Sequence, residues 1–120
     1  MDLVQVMKAL ADETRLRILN ILVEGALCVC EIEEILGISQ SNASRHLNRL
    51  TNVKILESYK VGNYVYHKFS QEGIQEYPFI KEIVEDHTMK HDLYKKDYER
   101  LNKYRESGFS CDELKDGQVF

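Results

Sequence analysis

Leu3, Val6, Met7 and Leu10 recur at helical spacing and predict a first helix over about residues 2–11. Asp12 is placed to cap a second helix, where Leu16, Ile18, Leu19, Ile21, Leu22 and Val23 give the apolar density of a buried centre. Arg15 stands three positions after that cap, so the start is no capping box, and Gly25 marks the stop. Ile32, Ile35 and Leu36 make Cys30–Leu36 a third helix ending at Gly37. Ser39 then caps a fourth, about residues 40–52, with a narrow apolar stripe of Ala43, Leu47 and Leu50. Leu56–Lys60 and Tyr64–Ser70 alternate as two strands around Val61-Gly62-Asn63, with Tyr59, Val61, Val65, Tyr66 and Phe69 supplying hairpin composition. From Pro78 to Arg105, Ile80, Ile83, Val84, His87, His91, Tyr94, Tyr98, Leu101 and Tyr104 lie near one stripe and predict one long helix. Its 28 residues would span roughly 42 Å, longer than a domain of this size is wide, so a partner outside its own core is expected. Ser107-Gly108 closes it, giving a domain over residues 1–106 and a flexible C-terminal tail over 107–120.

That order is mainly α with a small β-hairpin, and it is the order of a winged helix-turn-helix. The reading unit is Cys28–Gly37, a turn, and Ser39–Val53, with the hairpin as wing. The fourth helix offers Gln40, Ser41, Asn42, Ser44, Arg45, His46 and Arg49, the side-chain types that bond base edges and phosphates in a major groove. Lys60 and Lys68 on the wing are placed to straddle a neighbouring groove.

The net charge of −4 argues against nucleic acid until its distribution is considered. Residues 1–38 carry three basic and seven acidic side chains, and residues 71–120 carry eight and twelve. Residues 39–70 carry Arg45, Arg49, Lys54, Lys60 and Lys68 against Glu57 alone. A local basic patch, more than the mean charge, steers a protein toward phosphate. A solvated face is the alternative for charge alone. With 43% apolar and 30% charged residues the 120-residue chain reads as one folded domain. No apolar run approaches the ~18 residues of a membrane span, and MDLVQVMKAL has no basic region before an apolar stretch. Three cysteines make no disulfide framework, so a reducing, cytoplasmic setting is expected. Without C-x-x-C, a Gly-rich phosphate loop or a nucleophile with a recognisable base, no enzyme is expected.

Cys28-Val29-Cys30 adds chemistry to the reading unit. Thiolates are soft ligands suited to arsenite, antimonite, cadmium or lead, and poorly suited to magnesium or calcium. Sulfurs at i and i+2 are about 200° apart around a regular helix and cannot converge there, whereas in an extended or distorted turn they share one side. The pair is therefore expected at the helix entrance, where the helix N-terminus also favours thiolate. Ligation there reshapes the first helix of the unit and misplaces the second. Inert burial as small hydrophobes is the alternative.

Met7–Leu19 reads MKALADETRLRIL, Leu27–Glu31 reads LCVCE, Leu36–Leu47 reads LGISQSNASRHL and Gly62–Tyr66 reads GNYVY. Over about residues 5–70 these segments resemble the ArsR/SmtB family of metal-responsive transcriptional repressors, in its arsenic-sensing ArsR branch. The resemblance implies a homodimer paired through its first and last helices and bound to double-stranded operator DNA carrying an inverted repeat. It implies that Ser39, Gln40, Ser41, Asn42, Ser44, Arg45, His46 and Arg49 face DNA, with Lys60, Asn63 and Tyr64 added from the wing.

LCVC is a hallmark of the family's arsenic and cadmium/lead sensing branches, but this chain departs from both. Glu33 stands where arsenite sensors of the best-known type carry a third cysteine, and residues 1–27 lack the cysteines of cadmium/lead sensors. Cys111 in the tail is the remaining thiol and the expected third ligand beside Cys28 and Cys30, from its own chain or its partner's. The zinc pattern of the last helix is half present: Glu85-x-His87 fits, but Tyr98 and Leu101 occupy the second pair's positions. His87 and His91 remain a candidate second metal site, with solvated or interface histidines as the alternative.

The expected function is a homodimeric repressor released from its operator when As(III) or Sb(III) binds the cysteine thiolates. The alternatives are Cd(II)/Pb(II) sensing, thiol oxidation, or a winged-helix protein-interaction module.

Overall fold

The computed structural model describes residues 2–120. Helices α1 (Leu3–Leu10) and α2 (Glu13–Leu22) lead into a two-residue strand β1 (Leu27–Cys28), then α3 (Val29–Leu36) and α4 (Gln40–Asn52). The hairpin β2 (Leu56–Val61) and β3 (Tyr64–Phe69) follows, then α5 (Gln71–Glu76), α6 (Phe79–Glu82), α7 (Asp92–Ser107) and α8 (Cys111–Lys115). The architecture is a winged helix-turn-helix, mostly helical with one small antiparallel sheet, as the hydrophobic pattern indicates.

Local chemistry sets the first helix boundaries. Asp12 accepts from the Arg15 backbone N–H, and Ser39 accepts from that of Asn42. Gly37, at φ 68°, ends α3 in a left-handed conformation that costs a glycine little and a residue with a Cβ about 1–2 kcal/mol. α2 runs through the middle of the core: Ile18, Leu19, Ile21 and Leu22 pack with Ile32, Ile35, Leu47, Leu50, Ile55, Leu56, Ile80 and Leu101.

Strand order is β1-β3-β2. β2 and β3 pair from Leu56↔Phe69 to Val61↔Tyr64, leaving Gly62-Asn63 as a two-residue turn with Gly62 at positive φ in its first position. The third strand was not legible in the periodicity. Its pairing of Leu27 with His67 and of Cys28 with Tyr66 fastens the wing's base to the entrance of α3.

The long helix expected from Pro78 to Arg105 is not continuous. After α6 the chain makes a π turn over Ile83–His87 and a 3-10 turn over Thr88–Lys90, and His91 is extended (φ −113°, ψ 140°). The cause lies in α2. Buried Asn20 sits 3.0 Å from the Thr88 hydroxyl and donates its amide to the Tyr94 carbonyl at 3.1 Å, and the same hydroxyl lies 2.6 Å from the Val84 carbonyl. Such back-bonding loosens the helical ladder. α7 therefore spans roughly 24 Å, and it folds onto its own protomer. Tyr94, Leu101 and Tyr104 enter the core, so the stripe needs no outside partner for most of its length.

The segment read as a flexible tail carries α8. Ser110 accepts from the Asp112 N–H while Glu113 accepts from the Ser110 N–H at 2.7 Å, and Cys111 and Leu114 are buried. Among the described residues no helix is long and apolar enough to cross a membrane.

Candidate nucleic-acid interface and thiol site

The N-terminal half of α4 presents Ser39, Gln40, Ser41 and Arg45 to solvent, with Asn42 and Ser44 half-buried between them. Arg45 Nη2 donates to Asn42 Oδ1 at 2.8 Å, which fixes the guanidinium along the helix's outer face. Arg49 is half-buried and donates to Gln5 Oε1 at 3.2 Å, linking α4 to α1. On the wing Lys60 and Asn63 are exposed and Tyr64 is partly covered. Lys68 lies 3.4 Å from Glu57, which screens its charge.

His46 departs from the expected outward orientation: it is 4% exposed. Ala43, His46, Leu47 and Leu50 are the buried residues of α4, and their 3-4-7 spacing is itself the signal that placed His46 inside. Its Nδ1 lies 3.2 Å from Arg15 Nη1 and its Nε2 3.3 Å from Arg45 Nη2. Burial holds this imidazole below its ordinary pKa; Asp12 opposes the shift, and Arg45 and Arg15 add to it. Arg15 is itself held by the Ala9 carbonyl at 2.6 Å and the Lys8 carbonyl at 3.3 Å. A chain of polar contacts thus runs from the end of α1 through Arg15 and His46 to Arg45. Asn48 on α4 is exposed beside this face, and Tyr59 and Tyr66 stack on the wing with 5.6 Å between centroids.

Cys28 is the N-cap of α3, in extended conformation, and Cys30 lies in its first turn. This geometry brings Sγ of both within 3.2 Å of each other, the convergence that a regular helix forbids. The Cys28 N–H donates to Glu31 Oε1 at 2.8 Å, and Glu31 Oε2 accepts from the Tyr104 hydroxyl, so α7 braces the same turn. Cys111, at the start of α8, brings its sulfur into contact with both others, and the three ligand atoms lie within 4.8 Å of one another. A sulfur joins at most one disulfide, and the Cα atoms of Cys28 and Cys111 are 7.6 Å apart, beyond ordinary disulfide reach. Those of Cys30 and Cys111 are 6.0 Å apart, within it. Cys28 and Cys111 are 1% and 4% exposed, while Cys30 is half-buried and faces the adjoining cavity.

Beside the sulfurs a cavity of about 510 Å³ opens between α3, α4, the wing and α8. Its walls include Cys30, Glu33, Gln40, Ser44, Asn63 and Tyr64, so the thiol cluster and the reading face border one space. Burial, then the neighbouring Glu34 charge, raise the Glu33 carboxyl above its usual range. Among the described residues the three cysteines are the one histidine, cysteine and carboxylate group gathered tightly enough for an ion. His87 and His91 are both exposed, and the extended backbone at His91 removes them from a shared helical face.

The arsR family of bacterial regulatory proteins matches residues 12–58, from the cap of α2 into the wing. The cadmium resistance transcriptional regulatory protein CadC homolog of Staphylococcus aureus is 40% identical over 77 residues, 63% of this chain and 64% of that protein. The arsenic resistance transcriptional regulator ArsR1 of Pseudomonas putida is 46% identical over 68 residues, 56% of this chain and 53% of that protein. The chain thus spans about half to two thirds of the length of these relatives. The homodimeric winged helix-turn-helix DNA-binding domain Mb0332 of Mycobacterium bovis superposes with a TM-score of 0.61 at 27% identity, covering 74% of this chain and 83% of that one. These relatives are regulators rather than enzymes, in line with the absence of catalytic motifs. Shared sequence from the cap of α2 into the wing and a shared winged architecture carry one conclusion: the chain belongs to the arsR family of bacterial regulatory proteins.

Proposed function

We propose that this protein is a transcriptional repressor that binds operator DNA as a homodimer and leaves it when As(III) or Sb(III) is captured by Cys28, Cys30 and Cys111. The observation that carries the reading is that Cys111, more than 80 residues away in sequence, meets the Cys28 and Cys30 sulfurs at the entrance of the reading unit's first helix. The donor set fits a soft trivalent ion, since all three ligands are thiols. Each As–O bond of arsenous acid is replaced by an As–S bond, and each departing hydroxyl leaves as water with one thiol proton.

DNA binding is supported by the outward polar face of α4 and by Lys60 and Asn63 on the wing. Two such surfaces on one dimer face suit half-sites about one helical turn apart. Dimerisation is supported by exposed Leu3, Val4 and Met7 on α1 and by an apolar recess of about 260 Å³ lined by Met7, Leu10, Leu16, Phe79 and Ile83. The switch follows from position. Cys28 and Cys30 define where α3 begins, and α3 packs directly against α4, so an ion that prefers one arrangement of the entrance shifts the population of DNA-competent dimers.

Anisotropy of a labelled duplex, selected from a randomised pool by the protein, tests this. Arsenite is expected to weaken binding of the wild type and to leave the double variant Cys28→Ser/Cys30→Ser bound. If the double variant is released as readily, the inducer site lies elsewhere. A second reading, thiol oxidation, is favoured by the Cys30–Cys111 Cα separation of 6.0 Å. Release by arsenite under a reducing buffer separates the two. Cadmium, suggested by the similarity to the CadC homolog, is compared in the same titration.

A further inference from the structure

α8 touches two places that lie far apart in the chain, the thiol cluster and the wing. Cys111, its first residue, meets Cys28 and Cys30, and the next residue, Asp112, accepts a hydrogen bond from the Tyr64 hydroxyl. Lys115, one turn on, holds its ammonium 4.6 Å from the centroid of the Tyr64 ring. Because Cys111 and Asp112 are consecutive, α8 cannot seat Asp112 on Tyr64 without carrying Cys111 to the entrance of α3.

Tyr64 is the first wing residue after the Gly62-Asn63 turn and one of those expected to face DNA. A phenol has one proton to donate. Given to Asp112, it is not given to a phosphate. The exposed Asp112 carboxylate beside the wing joins Glu33 and Glu34 of the adjoining cavity, so carboxylates outnumber the Lys115 ammonium there. Without an ion, α8 is retained by buried Cys111 and Leu114 and by flanking Phe109 and Phe120, which pack on the core. A five-residue helix is marginal by itself.

Building on the inducer reading above, we propose that Tyr64 and Asp112 transmit thiol ligation to DNA: an ion held by all three cysteines locks α8 against the wing, where Asp112 takes the Tyr64 hydroxyl and sets a carboxylate in the path of the backbone. Release then needs no large movement of α4. The same sulfur arrangement that satisfies the ion occupies one of the wing's DNA contacts. Asp112 acts through Tyr64 and is a positioning residue, not a ligand.

Two titrations on the full reduced chain test this: sulfur-to-arsenic ultraviolet absorption for ion binding, and anisotropy of the selected duplex for DNA binding with and without saturating arsenite. In the wild type, arsenite raises the duplex Kd by a factor expected in the range of about 5–150, and DNA weakens arsenite binding by the same factor. Asp112→Ala is expected to keep the ion's absorption signal, its affinity and the arsenite-free duplex Kd, while the arsenite-induced ratio falls at least about threefold. Tyr64→Phe is expected to weaken duplex binding without arsenite and to shrink the ratio likewise, with ion binding kept. An Asp112→Ala protein that binds arsenite and still releases DNA as fully as the wild type overturns the proposal and leaves the inducer reading standing. A wild-type duplex affinity indifferent to arsenite overturns both.

Discussion

α4 and α7 are the two long helices of the molecule, and they are determined in opposite ways. α4 is specified by its neighbours in sequence: Ser39 caps it, and a narrow stripe ending at Leu50 seats it on α2 and α3. α7 is specified by residues far away. Arg17 donates from Nε to Asp97 Oδ2 at 2.8 Å and from Nη2 to Oδ1 at 2.9 Å, a bidentate pair 80 residues apart in sequence. Arg100 donates to the Ile35 and Glu34 carbonyls at 2.9 Å each, and Tyr104 reaches Glu31. α3 therefore lies between a locally encoded reader and a brace tied by polar contacts, with the thiols at its entrance. A signal entering α3 meets one element built to present side chains and another built to hold position.

The brace is the half most easily broken. Asp97 is 3% exposed, and Asp97→Ala leaves the Arg17 guanidinium without its carboxylate in a partly buried site. Urea denaturation is expected to show a loss of about 3–5 kcal/mol. A loss under about 1 kcal/mol, the value of a surface ion pair, shows that α7 is held by its apolar side chains alone.

Acid acts on the reading half. Burial lowers the pKa of His67, whose Nδ1 has no partner, and is the main cause of the lowered pKa of His46. The unfolded imidazoles take up protons near pH 6.5 while the folded ones remain neutral. Their contribution is therefore complete above that pH and is lost as pH falls from it toward the folded values, by up to about 1.4 kcal/mol per pH unit for each histidine. His46→Gln is expected to flatten the urea stability profile between pH 6.5 and 5.5, and an unchanged slope shows that His46 titrates normally in the folded protein.

The smallest effects compare the caps. Ser39→Ala removes the acceptor for the Asn42 N–H, and Ser110→Ala removes that for the Asp112 N–H, each worth about 0.5–2 kcal/mol to its helix. Global unfolding should register the first. The second should show mainly as faster amide exchange in residues 111–115, since α8 can detach while the core stays folded. Equal losses of global stability from both would make α8 part of the main cooperative unit.

The same contrast explains what was legible in the sequence. Residues 40–52 read correctly as a helix because cap and stripe are contiguous. The break before α7 is invisible from Pro78 to Arg105 because its cause is Asn20, in another helix. β1 escaped because Leu27 and Cys28 are a strand only by pairing with His67 and Tyr66. Placing Cys28 and Cys30 at a helix entrance followed from the angular separation of i and i+2, and Cys111 was brought into consideration by counting thiols. His46 lies inward because its spacing from Ala43 and Leu50 places it on the buried stripe, a position that its polar character masks in the sequence. The Tyr64–Asp112 contact left no sequence signal, because nothing local foretells where a tail returns.

The proposed site joins three sulfurs, and the sulfur coordination number of bound arsenic measures it directly. X-ray absorption on reduced protein with one equivalent of arsenite per chain is expected to show three sulfur neighbours in the wild type and two in Cys111→Ser. Two sulfurs in the wild type, or a number unchanged by Cys111→Ser, contradicts it.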